Sequence, residues 1–205
     1  MGVTRSVRVG AATALTLAVA LLAGCGVAPW NDDSSASPTT STATAVPTPI
    51  SNDLSTGSTE RTVTAGSVTA TINYWSTLSM DLWTPTALKP ISLSLSTTVT
   101  PDDGQKVYLQ TATMVVVPGN SSGALSPLDA QTDTYSVPSS GAPGYLVLSP
   151  YSYSQTFNIG EVPAESTYVT VQLTYDFLVQ TTPTSSEYAK QTASDTLVVL
   201  INSAG

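Results

Sequence analysis

Histidine is absent from the 205-residue sequence, and cysteine occurs once, at Cys25. Without imidazole, the chain cannot supply a Ser-His-Asp or Cys-His catalytic arrangement by itself. Zinc, copper and non-haem iron sites usually draw on imidazole or thiolate ligands, and a lone cysteine cannot form an internal disulfide. Chemistry by this chain would therefore need carboxylates or a serine–lysine pair, and a metal would need oxygen ligands, as calcium does.

Basic residues are also scarce. The sequence has six Lys and Arg residues against 14 Asp and Glu, which gives a formal net charge of −8. A negative chain repels phosphate backbones and anionic surfaces. We therefore predict that nucleic acid is not a partner, and the acidic balance also favours solubility.

The apolar segment near the N-terminus is short. Arg5 and Arg8 precede an apolar stretch over residues 9–22, which has the length of a signal-peptide core and is too short to span a bilayer. The stretch ends in the motif Leu22-Ala23-Gly24-Cys25. No second apolar segment of about 20 residues follows, so the sequence predicts no transmembrane helix downstream.

The motif at Cys25 resembles the lipobox of bacterial lipoproteins, and the resemblance covers about the first 25 residues. It implies cleavage before Cys25 and a diacylglyceryl group on its sulfur, often with a further acyl chain on the new amino group. Two or more acyl chains hold a protein stably on a membrane. An N-myristoylation pattern at Met1-Gly2 and an ordinary secretory signal are the alternatives. The expected location is the extracytoplasmic face of a bacterial cell membrane, with the membrane as partner through the lipid on Cys25.

Three segments are predicted along the chain: a signal peptide over residues 1–24, a lipidated cysteine with a tether over 25–60, and a folded domain over 61–205. Of residues 31–60, 17 are Ser, Thr or Pro. Such a segment buries too little apolar surface to offset the entropy of ordering it. A flexible tether of this length reaches roughly 30–35 Å, and its composition is also typical of O-glycosylated stalks.

From residue 61 onward the apolar pattern has a period of two, most clearly over residues 169–177. Thr and Val dominate these runs, as they do in half-buried strands, and no apolar stripe at helical spacing appears. Turn residues separate the runs, and Pro101-Asp102-Asp103-Gly104 predicts a hairpin. We predict an all-β fold, an antiparallel β-sandwich of about 7–9 strands.

The segment before the run over residues 169–177 resembles the corner of immunoglobulin-like sandwiches. In those domains a tyrosine near the start of the penultimate strand bonds back to the preceding corner. Tyr168 occupies that position, and residues 193–201 would form the last strand. The resemblance covers about 40 residues and implies an immunoglobulin-like sandwich. A jelly roll or another two-sheet arrangement remains open.

Motifs that could carry catalysis lack their partners. The G-x-S-x-G motif over residues 119–123 needs a following helix and a histidine, and the sequence provides neither. No Ser-x-x-Lys pair occurs, and no spacing selects two carboxylates for glycoside hydrolysis. Asp102, Asp103, Asp129 and Asp133 lack the spacing of a known calcium loop. We predict a protein that is not an enzyme and has no metal or cofactor.

Aromatic residues give the remaining signal. Trp75, Trp83, Tyr151 and Tyr153 could stack on sugar rings if exposed, although core packing is the more ordinary role of such residues. Two functions follow: a surface lipoprotein whose sandwich acts as an envelope protein-interaction or structural module, or a carbohydrate-binding module for cell-wall polysaccharide. Exposure of these four aromatics discriminates between the two.

Overall fold

The computed structural model describes residues 49–136 and 141–202. The predictions about the signal peptide, Cys25 and most of the tether lie outside these residues. Within them, no helix is long and apolar enough to cross a membrane.

The described chain consists of ten β-strands and one short 3₁₀ helix, Met80–Leu82. Seven strands are long enough to cross the domain, and β5, β6 and β7 are short segments beside one of them, β4. The strands, in chain order, are β1 Ser58–Ala65, β2 Val68–Trp75, β3 Lys89–Val99, β4 Val107–Asn120, β5 Gly123–Ala124, β6 Gln131–Thr134, β7 Tyr145–Leu146, β8 Tyr153–Ile159, β9 Tyr168–Gln180 and β10 Tyr188–Leu200.

Two antiparallel sheets contain these strands. The first has the order β1-β2-β3-β8, and the second has the order β10-β9-β4 with β5, β6 and β7 all paired to β4. A bulge between Leu109 and Thr111 interrupts the pairing of β4 with β9. The prediction of an all-β sandwich is confirmed.

The core lies between the sheets and follows from the period-two pattern. On β9, every second side chain from Val169 to Phe177 is fully buried, while Gln172 between them is exposed. Tyr74 on β2 meets Tyr175 on β9 across the core, with their hydroxyls 3.0 Å apart. Alternation in the sequence therefore sets which face of each strand the core covers.

The topology is immunoglobulin-like. In that fold, strands A, B, E and D lie in one sheet, and C, F and G lie in the other; among the described strands, none takes the place of D beside β8. Here β2, β3 and β8 correspond to A, B and E, and β4, β9 and β10 correspond to C, F and G. β1 is an additional strand at the edge of the first sheet.

Three details differ from the sequence predictions. Ordered structure begins before residue 61, because Leu54 is fully buried and β1 begins at Ser58. Pro101-Asp102-Asp103-Gly104 does not form a hairpin, since β3 and β4 belong to different sheets. Turn residues signal a reversal of the chain but do not specify which sheet the next strand joins.

The tyrosine-corner bond is the third difference. Within the described residues, the hydroxyl of Tyr168 has no hydrogen bond to the preceding corner; instead its ring lies over Gly119 on β4, where a Cβ would overlap it. The glycine leaves room for the ring on the outer face of the sheet. Tyr168 therefore packs on the neighbouring strand β4. It does not form a hydrogen bond that stabilises the turn before β9.

Candidate functional site

The two ends of the sandwich carry different connections. We call the end where the chain joins the domain the proximal end: β1, β3 and β9 begin there, and β2, β8 and β10 end there. It comprises residues 49–57, 76–88, 160–167 and Ile201–Asn202. The opposite, distal end carries residues 100–106 and 181–187, which connect β3 to β4 and β9 to β10.

Exposed apolar side chains concentrate at the proximal end. Among the described residues, four large hydrophobic side chains are exposed: Ile50 by 42%, Leu82 by 53%, Leu88 by 64% and Tyr151 by 57%. Ile50, Leu82 and Leu88 belong to the proximal end, and only Tyr151 lies elsewhere. Scattered exposed apolar residues need no explanation, but a concentration of them is typical of an interaction site.

Leu82 and Leu88 both belong to residues 76–88, which we call the proximal loop. Trp83 lies between them and is fully buried in the core. Its carbonyl accepts a hydrogen bond from the backbone of Asn202 at 2.7 Å, and the side-chain amide of Asn202 donates to Met80 at 2.7 Å. A buried tryptophan and the C-terminal segment therefore fix the middle of the loop.

Lys89, the first residue of β3, fixes the second half of the proximal loop from inside. Its side chain is fully buried. The Nζ group donates to three carbonyls of the loop, at 3.0 Å to Thr84, 3.3 Å to Pro85 and 2.6 Å to Ala87. It also donates to the carbonyl of Gly160 at 2.9 Å. One ammonium group thus joins the proximal loop to the connection between β8 and β9.

The charge of Lys89 has no ion-pair partner within 4.0 Å among the described residues. Burial lowers the pKa of its ammonium group, and the nearby carboxylate of Glu161 opposes that shift. Burying an ammonium group is costly unless carbonyl dipoles replace its water. The four carbonyls fulfil this requirement, so the charge serves to hold the loop.

A cleft of about 290 Å³ opens beside the loop. Residues 55–57 of the incoming segment form one wall and residues 76–81 of the loop form the other. Half-buried Leu78 and Met80 supply apolar surface, and Asp81 supplies a charge. The cleft therefore combines apolar, hydroxyl and carboxylate groups next to exposed Leu82.

The four aromatics named from the sequence do not form a common exposed surface. Trp83 and Tyr153 are buried, with 0% and 5% of their surface exposed; Trp75 is half-buried at the end of β2, and Tyr151 is exposed. A two-ring platform of Tyr151 and Tyr153 is therefore absent. Tyr153 faces inward because it shares a side of β8 with Phe157 and Ile159.

Tyr153 instead helps to close the side of the sandwich. Its hydroxyl donates to the carboxylate of Asp133 on β6 at 2.8 Å. Burial, and then this bond to Asp133, raise the pKa of the Tyr153 hydroxyl well above its usual range. Tyr145 packs on Tyr153 with ring centroids 5.1 Å apart. Asp133 therefore helps to hold the ring of Tyr153 in its packed position.

Other residues named for catalysis or metal binding lie in turns. The G-x-S-x-G segment forms the connection from β4 to β5, where the backbone of Ser122 donates to Asn120 Oδ1 at 2.8 Å and Gly123 has a φ of 124°. Asp102 accepts a bond from the backbone of Gly104 at 3.0 Å. Across the part of the chain with described coordinates, no group of three or more His, Cys, Asp or Glu residues could hold a metal ion.

Sequence reasoning missed the proximal loop and Lys89. The signal available was a lysine placed just before the alternation of apolar residues and serines over residues 91–95, in a chain with few basic residues. A lysine at the start of a strand is ordinarily exposed, and its burial here depends on carbonyls from Gly160, which is 71 positions away. No local pattern encodes that contact.

The fold and the proximal end together define an immunoglobulin-like sandwich with a fixed, leucine-bearing loop. No protein-family model matches the chain, and no curated protein matches it at a significant level.

Proposed function

We propose that the protein is a membrane-anchored, non-enzymatic surface lipoprotein whose sandwich binds another envelope protein through its proximal end. The observation that carries the proposal is the exposure of Leu82 and Leu88 on a loop that Lys89 and Trp83 fix from inside. The location rests on the lipobox-like motif at Cys25.

A fixed loop favours binding because its conformational entropy is already lost before the partner arrives. The leucines lie on either side of Trp83, so the loop presents both of them while its centre stays in the core. Exposed apolar side chains on a rigid frame are the kind of group that forms the centre of protein interfaces.

Carbohydrate binding is the weaker candidate. Stacking on sugar rings requires exposed aromatic faces. Of the four aromatics considered, only Tyr151 is exposed by more than half, and it lies apart from the proximal end. Trp83 and Tyr153 are unavailable to a ligand while the sandwich is folded.

A photo-crosslinking experiment tests the protein-binding proposal. Benzoylphenylalanine replaces Leu82 in the full-length protein in its native cells, and a second variant carries it at Tyr151, which is exposed to a similar extent. We expect a discrete protein adduct from position 82 and little from position 151. Adding Leu88→Ser to the first variant should weaken that adduct.

Two results would overturn the proposal. Adducts of equal yield and identity from positions 82 and 151 would indicate random collisions. Lipid adducts alone from position 82 would indicate that the proximal end lies on the membrane. The anchor is tested separately, since Cys25→Ala should release the protein from the membrane fraction.

A further inference from the structure

The charges of the proximal end are uneven. The proximal end has no basic residue of its own, and the two on the strands that begin there are already engaged: Arg61 on β1 bonds to Asp53 at 2.6 Å, and Lys89 on β3 is buried under the loop. Asp81, Glu161 and Glu165 are exposed, and none of them takes part in an ion pair within the described residues. The surface around the leucines is therefore acidic, and the positive charge near Glu161, that of Lys89, is buried beneath the loop.

The cleft between residues 55–57 and 76–81 brings this charge next to apolar surface. Leu78 and Met80 line it, and Asp81, the only charged lining residue within the described part of the chain, lies beside them. A lysine or arginine side chain has the matching composition, because its methylene stem packs on apolar surface while its charged head seeks an acceptor. Serine hydroxyls in the lining can accept further hydrogen bonds from such a head.

We propose that this cleft receives a lysine or arginine side chain of the partner protein, and that the partner presents an apolar residue beside it for Leu82. The proposal rests on the protein-binding function above and names the chemistry of the partner. Complementary charge favours a basic segment of protein, whereas an anionic lipid surface would be repelled by Asp81, Glu161 and Glu165.

Short peptides of defined charge test this directly. The full-length protein in neutral detergent is titrated by calorimetry with acetyl-Leu-Arg-Leu-amide and with the matching peptide in which citrulline replaces arginine. Citrulline keeps the shape of arginine but removes its charge. We expect the arginine peptide to bind about two- to fivefold more tightly, because an ion pair with a solvent-exposed carboxylate such as Asp81 contributes only that much.

Asp81→Asn should remove the difference between the two peptides, while Asp102→Asn at the distal end should leave it intact. The preference should also shrink at high salt because the cleft is open to solvent. Equal affinity of the two peptides for the unmodified protein, or no binding of either at millimolar concentration, would overturn the proposal.

The two proposals fail separately. If position 82 crosslinks a protein in cells but the arginine peptide has no preference, the interaction surface stands and the basic partner is wrong. If Asp81→Asn removes a measured preference while position 82 gives no protein adduct, the cleft binds basic groups without serving the proposed interface, and the protein-binding function fails.

Discussion

The proximal and distal ends of the sandwich satisfy the polar groups of their connections by different means. At the proximal end, the buried ammonium of Lys89 bonds to four carbonyls, and Trp83 fills the core beneath the loop. At the distal end, neutral side-chain amides form the hydrogen bonds to the backbone of the connections. Gln105 donates to the carbonyl of Pro101 at 2.6 Å and accepts from the backbone of Asp103 at 2.8 Å.

Gln180 plays a similar part at the distal end, accepting from the backbone of Lys106 at 2.9 Å and donating to Ser185 at 2.9 Å. These amides hold exposed, polar turns in place. The proximal arrangement is costlier, since it buries a charge, and it holds a loop whose leucines face solvent. The two ends therefore differ in what they hold in place: polar turns at the distal end, and a loop with two exposed leucines at the proximal end.

The largest effect should come from Trp83→Ala. Removing a fully buried tryptophan costs about 3–5 kcal/mol in free energy of unfolding, because the core loses contacts and a cavity remains. Urea denaturation followed by circular dichroism measures this. Trp75→Ala is the matched control, and its cost should be clearly smaller since Trp75 is half-buried. Equal costs would show that Trp83 does not anchor the proximal end.

Lys89→Met should rank second, at about 2–4 kcal/mol, because four carbonyls lose their shared donor in a buried place. Hydrogen exchange should also accelerate in residues 84–88 and not at the distal end. The control is Lys106→Met, an exposed lysine whose loss should change stability by less than about 0.5 kcal/mol. A Lys89→Met variant as stable as the Lys106→Met variant would remove the contrast between the two ends.

Gln105→Ala tests the distal end. We expect a loss of about 1–2 kcal/mol, because two neutral hydrogen bonds disappear and one of them served a part-buried carbonyl. Thermal unfolding compares this variant with Gln172→Ala, which removes an exposed amide from β9. A loss larger than that of Lys89→Met would reverse the proposed ranking.

The smallest effect on stability should come from Leu82→Ser and Leu88→Ser. Both side chains are more than half exposed, so each change should alter the free energy of unfolding by less than about 0.5 kcal/mol. Leu88→Ser should nevertheless weaken the crosslink from position 82. If either serine variant is destabilised by more than about 1 kcal/mol, the leucines support the fold and are not held out for a partner.

Much of the fold was predictable because a half-buried strand has a local sequence pattern, the alternation of apolar and polar residues. The alternation over residues 169–177 predicted which side chains of β9 face the core, and the alternation from Val68 to Trp75 matched β2. β1 was missed, since its burial is incomplete and its first residues, Ser58 and Thr59, resemble the tether in composition. The short β5 and β6 exist only as additions to β4 and leave no pattern of their own, whereas β7 lies in the short apolar run over residues 145–148.

The candidate site was less predictable. Trp83 and Tyr153 are candidates for sugar stacking from the sequence only if they are exposed, and both are buried. Period two states that neighbouring residues on a strand face opposite sides, but it does not state which side is the core. Tyr153 faces the core because Phe157 and Ile159 lie on the same side of β8. Trp83 is buried although it lies in a loop, where no periodic pattern predicts which side chains face the core.

The sequence by itself determined the class of fold and the signal-like motif at Cys25. It also excluded catalytic arrangements that need a histidine from this chain. These properties follow from composition, period and short motifs, which are local. Tertiary structure decided which sheet each strand joined, the burial of Lys89 and Trp83, and the exposure of Leu82 and Leu88. These depend on contacts between distant positions, such as Lys89 with Gly160 and Trp83 with Asn202. The physical reason is that a buried charge needs several carbonyls at once, and only the folded chain brings them together.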